Sequence, residues 1–326
     1  MAHVALAGLL LRSPPAAAAS VAWDPAPRLD GLPAAADEFR CDFPRVKVNA
    51  SEREALRQGL LCTRPSDACL GLGAGWAMRP WLFEGLTGND ALQGPGGATG
   101  KAAMLRRFAS EEAVVSSSVA QSYGRKTMRF DAYVLNAMRP PANLSEALAL
   151  DAASTWYLCN MNFWPDLLSL YDRPPMLRGR RRARIQSLPI SGPLGALSFG
   201  VGRSGSGLPF HVHGAQFAEV TQGQKIWLAV APDAGDMLDF DPSASPLAWV
   251  LAQPSSSEGS RAAARGRNDL FEGLTLPSHV QVCRQRPGET LYLPPWWPHA
   301  TLNVGETVFF LDFVEVSAPR VHATNQ

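Results

Sequence analysis

Three histidines have the residue type and spacing of a metal site. His211 and His213 stand one residue apart, and His299 follows the proline- and tryptophan-rich segment Pro294–Pro298. On a β-strand, residues i and i+2 point to the same face, so the first pair can reach one ion from one side of a sheet. Three imidazoles with open coordination positions suit Fe(II), Zn or Cu. The alternative is an exposed pair on a strand and an unrelated third histidine.

The elements around these histidines are predicted to be short β-strands. Six β-rich runs alternate with Gly- and Pro-containing turns, which predicts an all-β sandwich or barrel. The runs are Ala196–Val201, Phe210–His213, Lys225–Ala231, Gln281–Arg284, Thr290–Leu293 and Thr307–Val314. We also expect a short helix at Pro246–Ala252 and a disordered insertion, rich in Ser, Ala, Gly and Arg, over residues 254–268.

The part of the chain before these runs predicts mixed α/β elements. Strands are expected at Trp81–Phe83 and Val114–Ser118, and helices at Lys101–Ala109 and Phe130–Met138. Ser51 and Glu54 have the spacing of a capping box for a further short helix that runs through Leu60. The fold class is therefore mainly β, with mixed elements at the N-terminal side.

Composition excludes some classes of function. The formal net charge is +1 over 326 residues, which is not the footprint of a nucleic-acid-binding protein. One basic run, Arg178–Arg184, lies between prolines and is interpreted as a solvated loop. No stretch approaches the roughly 20 apolar residues of a membrane span. Residues 1–22 carry a short apolar run followed by small residues, which favours a signal peptide over an unstructured tail.

Other features bear on the cellular compartment. Asn49-Ala50-Ser51 and Asn143-Leu144-Ser145 match the N-glycosylation sequon, so we expect a glycoprotein. The five cysteines include Cys62 and Cys69, which flank a short loop and are spaced for a local disulfide in an oxidising compartment. None of the five forms a CxxC pair, so a zinc ribbon is not expected, and an odd count leaves at least one thiol unpaired.

Several motifs in the same order resemble the JmjC (jumonji C) family. Their segments are RPWLFEGLTGN from Arg79, PFHVHGAQFAEVTQGQKIWLAVAP from Pro209 and GETLYLPPWWPHATLN from Gly288. Three further runs, Ser198–Gly200, Gly207–Gly214 and Leu247–Trp249, are similar to the endoplasmic-reticulum-luminal branch of that family. The resemblance implies a JmjC (cupin-like) domain over residues 76–316, with a lead-in at 23–75 and a tail at 317–326.

The resemblance also implies a fold and a chemistry. The fold would be a double-stranded β-helix, the jelly-roll barrel of cupins, with His211, His213 and His299 as metal ligands. Gly223-Gln224-Lys225 falls where the family has the lysine that binds 2-oxoglutarate. The implied protein is an Fe(II)- and 2-oxoglutarate-dependent dioxygenase of the endoplasmic reticulum lumen, acting on a protein substrate. Glu219 and Asn303 are candidates for orienting the site. The alternative for Lys225 is an exposed lysine on an edge strand.

Two positions depart from the family pattern. Active members have Asp or Glu where this chain has His213, and several have a hydroxyl residue where it has Leu208. A second hypothesis is therefore a binding or adaptor protein without turnover, and a third is a three-histidine cupin that needs no 2-oxoglutarate. The aromatic residues Phe210, Trp227, Trp296 and Trp297 are interpreted as barrel packing.

Overall fold

The computed structural model describes the parts of the chain that form the barrel and its covering layers. These are residues 22–23, 41–58, 69–72, 76–118, 124–138, 155–159, 162–175, 197–254 and 276–314. Residues 1–21 of the expected signal peptide lie outside the described residues, as do Cys62, Asn143, the basic run Arg178–Arg184, most of the expected insertion and the tail.

The chain is mainly β, as predicted. The strands are β1 Arg45–Lys47, β2 Trp81–Glu84, β3 Glu112–Ser117, β4 Arg125–Arg129, β5 Trp156–Cys159, β6 Leu197–Gly202, β7 Gly207–His211, β8 Ala215–Val230, β9 Val280–Gln285, β10 Glu289–Leu293 and β11 His299–Val314. The helices are α1 Ala50–Arg57, α2 Lys101–Phe108, α3 Phe130–Ala132, α4 Pro165–Leu168 and α5 Pro246–Ala252. A π-helical turn, Tyr133–Ala137, continues α3.

Two long strands build the barrel because each takes part in both of its layers. The first half of β8 pairs with β10 on one side and with the second half of β11 on the other. Ala218 is therefore a cross-strand neighbour of both Leu291 and Leu311. The second half of β8 pairs with β9 and with the first half of β11. Trp227 is therefore a cross-strand neighbour of both Cys283 and Thr301. This exchange of partners closes the jelly-roll that the sequence predicted.

A glycine marks the bend in β8. Gly223 has a φ of +66°, and a Cβ at this position would lie 2.5 Å from the carbonyl oxygen of Glu306. Only glycine adopts this conformation without strain at such a close approach. The register of β11 against β8 shifts at the same level, between Val304 and Val308. The two halves of β8 therefore enter different layers.

Apolar side chains alternate along the strands and fill both faces of the layers. Between the layers pack Tyr157, Ala218, Val220, Trp227, Leu291, Phe309 and Leu311. The outer face of the larger layer packs against α2, α3 and α4, and that of the smaller layer against α5. None of the described helices is long and apolar enough to cross a membrane.

The predicted helices are largely confirmed, but the expected capping box is wrong. Asn49, rather than Ser51, is the N-cap of α1: its side chain accepts from the backbone N–H of Glu52, and the Glu52 carboxylate accepts from the backbone N–H of Asn49. Ser51 donates its hydroxyl to Asn49. Both registers carry an N-cap residue followed three positions later by Glu, so the sequence pattern alone does not separate them.

The N-terminal segment is tied to the barrel by a disulfide that the spacing of cysteines did not suggest. Cys41 bonds to Cys283 of β9 across a sequence separation of 242 residues. Beside it, the backbone of Asp42 and its carboxylate bond to the backbone of Val282. The expected Cys62–Cys69 pair involves a residue outside the described ranges. Cys159 is a buried free thiol, which agrees with the odd cysteine count.

Candidate metal centre

The three histidines meet at one end of the smaller layer. His211 is the last residue of β7 and His299 the first of β11, and the two are partners in the ladder. His213 lies two residues beyond the end of β7, so the expectation that His211 and His213 share a strand is wrong. Their ring centroids are 4.2, 4.5 and 5.2 Å apart, and one nitrogen of each lies within 4.8 Å of the others.

A close approach of two backbones sets this geometry. A Cβ at Gly207, the first residue of β7, would lie 1.8 Å from the carbonyl oxygen of Thr301 in β11. Glycine therefore lets β7 lie directly against β11. The ladder then carries His211 to its position opposite His299.

Backbone carbonyl groups select one tautomer at all three histidines. The Nδ1 atoms of His211, His213 and His299 lie 2.8, 2.6 and 2.8 Å from the carbonyl oxygens of Pro209, Gly214 and Trp297, respectively. A carbonyl oxygen only accepts, so each Nδ1 carries the proton and each Nε2 keeps its lone pair. Protein zinc and iron sites use the same arrangement, in which a second hydrogen bond orients the metal-binding imidazole.

Burial keeps the three rings neutral. Loss of solvent lowers the pKa of His211 to about 4, with repulsion from His213 as the next cause. Burial likewise lowers the pKa of His213, and it lowers the pKa of His299 far below its usual range. Neutral imidazole is the form that binds a metal ion. Three neutral nitrogen ligands with a free Nε2 each therefore fit a divalent cation.

Lys225 lies inside the barrel beside the histidines. It is 2% exposed, which excludes the alternative of an exposed lysine on an edge strand. Its ammonium group donates to the Tyr157 phenol oxygen at 2.7 Å and to Asn303 Oδ1 at 3.1 Å, and lies 3.8 Å from the centroid of the Phe309 ring. Burial lowers the pKa of Lys225 to about 7. All these partners are uncharged, and a carboxylate ligand beside the ammonium group would raise its pKa again and stabilise the charged form.

The histidines and Lys225 share one small cavity. Its other lining residues are Tyr157, Cys159, Leu208, Gln216, Trp227, Thr301, Phe309 and Leu311. The free space is about 20 Å³, roughly what one water molecule needs. The Lys225 ammonium group and the Tyr157 hydroxyl are hydrogen-bond donors of the kind that bind a carboxylate such as that of 2-oxoglutarate. A five-carbon dicarboxylate needs more room than this free space provides.

Of the two candidates for orienting the site, Asn303 lies beside Lys225 and Glu219 does not. Asn303 is the cross-strand partner of Lys225. Its Oδ1 accepts a hydrogen bond from the Lys225 ammonium group, and its Nδ2 donates to the Ser206 hydroxyl. Glu219 lies on the opposite face of β8 from the cavity residue Gln216, and its carboxylate accepts from Thr87 and Asn89. The expectation that Glu219 orients the metal site is wrong, because β-strand side chains alternate between faces.

Of the four aromatic residues interpreted as barrel packing, three are buried and one is exposed. Trp227 and Trp297 are buried between the layers, and Phe210 packs edge-on against Trp249 of α5 at 4.9 Å. Trp296 is 61% exposed, so its assignment to barrel packing is wrong. Its φ of +67°, in the left-handed region, turns it away from its neighbour Trp297.

Sequence reasoning missed Tyr157 and Cys159. They lie two residues apart on β5 and both line the cavity. Burial raises the pKa of Tyr157 far above its usual range and that of Cys159 to about 11, so both are protonated at neutral pH. The available signal was the short run Trp156–Cys159, in which alternate residues are polar-tipped or sulfur-bearing. Nothing in that run predicts its distant partner, Lys225.

Known proteins are similar to this chain, although no protein-family model matches it. The chain is 27% identical to mouse JmjC domain-containing protein 8 over 239 residues, covering 73% of this chain and 75% of the mouse protein. The rat protein of the same name is 28% identical over 237 residues, covering 73% of this chain and 75% of its own length. The human protein is 27% identical over 239 residues, which are 73% of this chain and 76% of the human protein. The resemblance to the JmjC family, and within it to JmjC domain-containing protein 8, is thus confirmed.

Proposed function

We propose that this protein is an Fe(II)- and 2-oxoglutarate-dependent dioxygenase that acts on protein side chains. The observation that carries the proposal is the meeting of three free Nε2 atoms with one buried ammonium group in a single cavity. Non-haem iron oxygenases use a face of three protein ligands that leaves positions open for substrates. Similarity to JmjC-domain proteins supports the same class.

Eight of the residues that line the cavity have a definite task in this proposal. His211, His213 and His299 bind the metal through Nε2, and their backbone carbonyl partners hold the rings in place. Lys225 and Tyr157 bind the distal carboxylate of the cosubstrate, with Asn303 positioning the ammonium group. Trp227, Phe309 and Leu311 keep bulk water out. When bound, Fe(II) and 2-oxoglutarate supply the activation of O₂ that hydroxylation requires.

Metal content and cosubstrate turnover test the proposal together. We expect protein purified without added metal to contain iron by elemental analysis, and to form succinate from 2-oxoglutarate when a protein substrate is present. His211→Ala and His299→Ala should each lower metal affinity by about 100-fold or more, because they remove a ligand outright. His279→Ala, which changes a histidine outside the cluster, is the control. Absence of iron-dependent succinate with every candidate substrate contradicts the proposal.

A second candidate is a metal-binding adaptor without turnover. Two observations favour it: the free space of about 20 Å³ and the neutral His213 at the position of a carboxylate. A neutral ligand leaves the full charge of the dication uncompensated, which alters affinity and redox potential. His213→Asp separates the two. Succinate formation that appears only in His213→Asp supports the adaptor, and loss of an existing activity supports the oxygenase.

A third candidate, a three-histidine cupin without 2-oxoglutarate, is less well supported. Such a site has no need of a carboxylate anchor, yet Lys225 is buried at considerable desolvation cost beside the histidines. Lys225→Met is its test. Unchanged activity in that variant would favour the third candidate over the first.

We also infer that the protein works in the lumen of the endoplasmic reticulum. The Cys41–Cys283 disulfide supports an oxidising compartment, because such bonds are rare where glutathione keeps thiols reduced. The apolar and small residues of the first 22 positions support a secretory signal. Co-localisation of the tagged full chain with a cytosolic marker would contradict this location.

A further inference from the structure

Exposed apolar side chains lie at the end of the smaller layer where the three histidines meet. Four connections meet at this end of the smaller layer: those after β7 and β8 and those before β9 and β11. The start of β2 joins them, since Trp81 pairs with Tyr292 at the end of β10. Among the described residues six large hydrophobic side chains are exposed, and four of them lie here: Met78, Val212, Met237 and Trp296. We call these four residues the rim.

Contacts with the metal-site residues hold the rim in place. The backbone N–H of Trp296 donates to the carbonyl oxygen of His213 at 3.0 Å, and Val212 lies between His211 and His213. Trp297 donates its indole N–H to the carbonyl oxygen of Met78 at 3.3 Å. On the other side, a Cβ at Gly235 would lie 3.4 Å from the Pro298 ring, which places the turn that carries Met237 against the same segment.

Trp296 adopts a conformation that favours exposure over packing. A left-handed φ costs a residue with a Cβ about 1 kcal/mol or more. Prolines at 294, 295 and 298 stiffen the segment around it. Backbone strain of this kind gathers at ligand-binding sites. An apolar surface that is held open in this way indicates a binding surface.

Among the described residues, the charges beside the rim are mostly negative. The connection after β8 carries the exposed residues Asp233, Asp236, Asp239 and Asp241. Asp241 accepts from Ser243, whereas Asp233 and Asp236 form no ion pair within the described part of the chain. Of the described connections at this end, only that before β2 contributes a cation, Arg79, which stacks on Trp81. Within the described residues, the surface is therefore apolar with an acidic border.

We propose that the rim binds an extended segment of another protein in which a Lys or Arg stands near an apolar side chain. The apolar side chain packs on Val212 and Met78, and the cation lies over the face of Trp296, towards Asp233 and Asp236. A cation gains from an indole face and from nearby carboxylates together. The acidic border repels nucleic acid and anionic lipid surfaces. This inference adds a partner surface to the proposed function, since the same segment would lead a side chain to the metal.

Selection from a library of random peptides tests the proposal. The full-length protein is immobilised and used to select displayed peptides of about nine residues, long enough to cover the entrance in extended form. We expect the selected peptides to share a Lys or Arg beside a branched aliphatic or aromatic residue. Synthetic versions should bind about tenfold more weakly to Trp296→Ala, and to Asp233→Asn with Asp236→Asn, by fluorescence anisotropy. Binding should also weaken with rising salt.

Matched variants separate the rim from exposure in general. Phe163 is 72% exposed and Leu135 59% exposed, both away from the rim, so Phe163→Ala and Leu135→Ala should bind the peptides within about twofold of the natural protein. Selected peptides without a cation, or unchanged binding to Trp296→Ala, overturn the proposal. Trp296-dependent binding to phosphatidylserine vesicles also overturns it, because the rim would then bind a membrane surface. Trp296-dependent self-association in ultracentrifugation overturns it as well, because the rim would then bind a second copy of this chain.

This test is independent of turnover. Peptide binding that depends on Trp296 in a protein without succinate formation would overturn the proposed dioxygenase activity and support the rim as a partner surface. Succinate formation that persists in Trp296→Ala with unchanged KM for protein substrate would support the activity and overturn the role of the rim.

Discussion

The Lys225 ammonium group donates to the Tyr157 phenol oxygen at 2.7 Å, inside the cavity that the three histidines share. The two residues are 68 positions apart and come from strands β8 and β5. Burial of this pair lowers the pKa of Lys225 to about 7, because the charged form loses its solvent. A carboxylate that enters the cavity would offset the desolvation cost of that cation.

The first prediction concerns binding of 2-oxoglutarate. Lys225→Met should weaken its binding by about 10- to 100-fold, since it removes a charge-assisted hydrogen bond worth roughly 1.5–3 kcal/mol. The measurement is the rise in unfolding temperature of metal-loaded protein when 2-oxoglutarate is added. Lys126→Met changes an exposed lysine and should keep that rise. An equal rise in Lys225→Met and the natural protein would show that Lys225 is not the anchor.

The second prediction concerns pH and Glu219. Burial raises the pKa of Glu219 to about 7, above its ordinary 4.5, despite hydrogen bonds from Asn89 and Thr87. The folded state therefore binds the proton more tightly than the unfolded state does. The contribution of Glu219 to stability is full below about pH 4.5 and declines as the pH rises to about 7.

Glu219→Gln should abolish this decline. The free energy of unfolding of Glu219→Gln, relative to the natural protein, should increase between pH 4.5 and pH 8 by up to about 3 kcal/mol. Urea unfolding at several pH values measures it. Glu111→Gln, at an exposed glutamate, should track the natural protein throughout. Parallel curves for Glu219→Gln and the natural protein would mean that Glu219 is not buried as described.

The third prediction concerns the Cys41–Cys283 disulfide. Replacing both cysteines by serine should lower the free energy of unfolding by about 2–5 kcal/mol, because the bridge closes a long loop in the unfolded chain. Urea unfolding under oxidising conditions measures the loss. Adding a reductant to the natural protein opens the bridge and should reproduce the loss. An unchanged urea midpoint in the double variant would contradict the bridge or its role.

The fourth prediction concerns N-glycosylation of Asn49. This residue is exposed, and its side-chain oxygen accepts from the Ser51 hydroxyl at 2.6 Å and from the Glu52 backbone at 2.9 Å. Its Nδ2 donates to no partner within the described residues, so it is open to a glycan. In an Asn143→Gln background made in secretory cells, we expect one band shift on removal of N-glycans.

Two variants separate the glycan from the helix cap at the same residue. Ser51→Ala destroys the sequon and keeps the Asn49 cap, so it should lose the shift, whereas Ser51→Thr should keep it. Asn49→Asp also keeps a good cap without an acceptor amide. If a strong foreign signal sequence is needed to produce the shift, the site is usable and the location proposal fails. No shift even then would contradict the site itself.

Local patterns in the sequence were sufficient for most of the elements. Helix α5 was predicted with its observed bounds, the run Thr307–Val314 falls within β11, and the run Lys225–Ala231 ends one residue past β8. The runs underestimated β8 and β11, because the missed residues 215–224 and 299–306 include buried polar side chains such as Gln216, Glu219 and Asn303, which interrupt the apolar pattern. His213 was assigned to β7 because an alternating pattern does not show where a strand ends.

Identical residue types at adjacent positions show what the sequence cannot resolve. Trp296 and Trp297 are the same amino acid, yet one is exposed on the rim and the other is buried between the layers. The backbone dihedral at Trp296 decides this, and it depends on the carbonyl group of His213 some 80 residues earlier in the chain.

The sequence by itself determined the class of fold, the positions of most elements and the histidines with the type and spacing of metal ligands. Only the tertiary structure decided that Tyr157 meets Lys225, that Cys41 bonds to Cys283, that Glu219 faces away from the cavity and that Trp296 faces outward. Periodicity and propensity are properties of neighbouring residues, so a sequence shows them directly. Contacts between residues tens to hundreds of positions apart depend on strand register and layer packing, which arise only when the whole barrel closes.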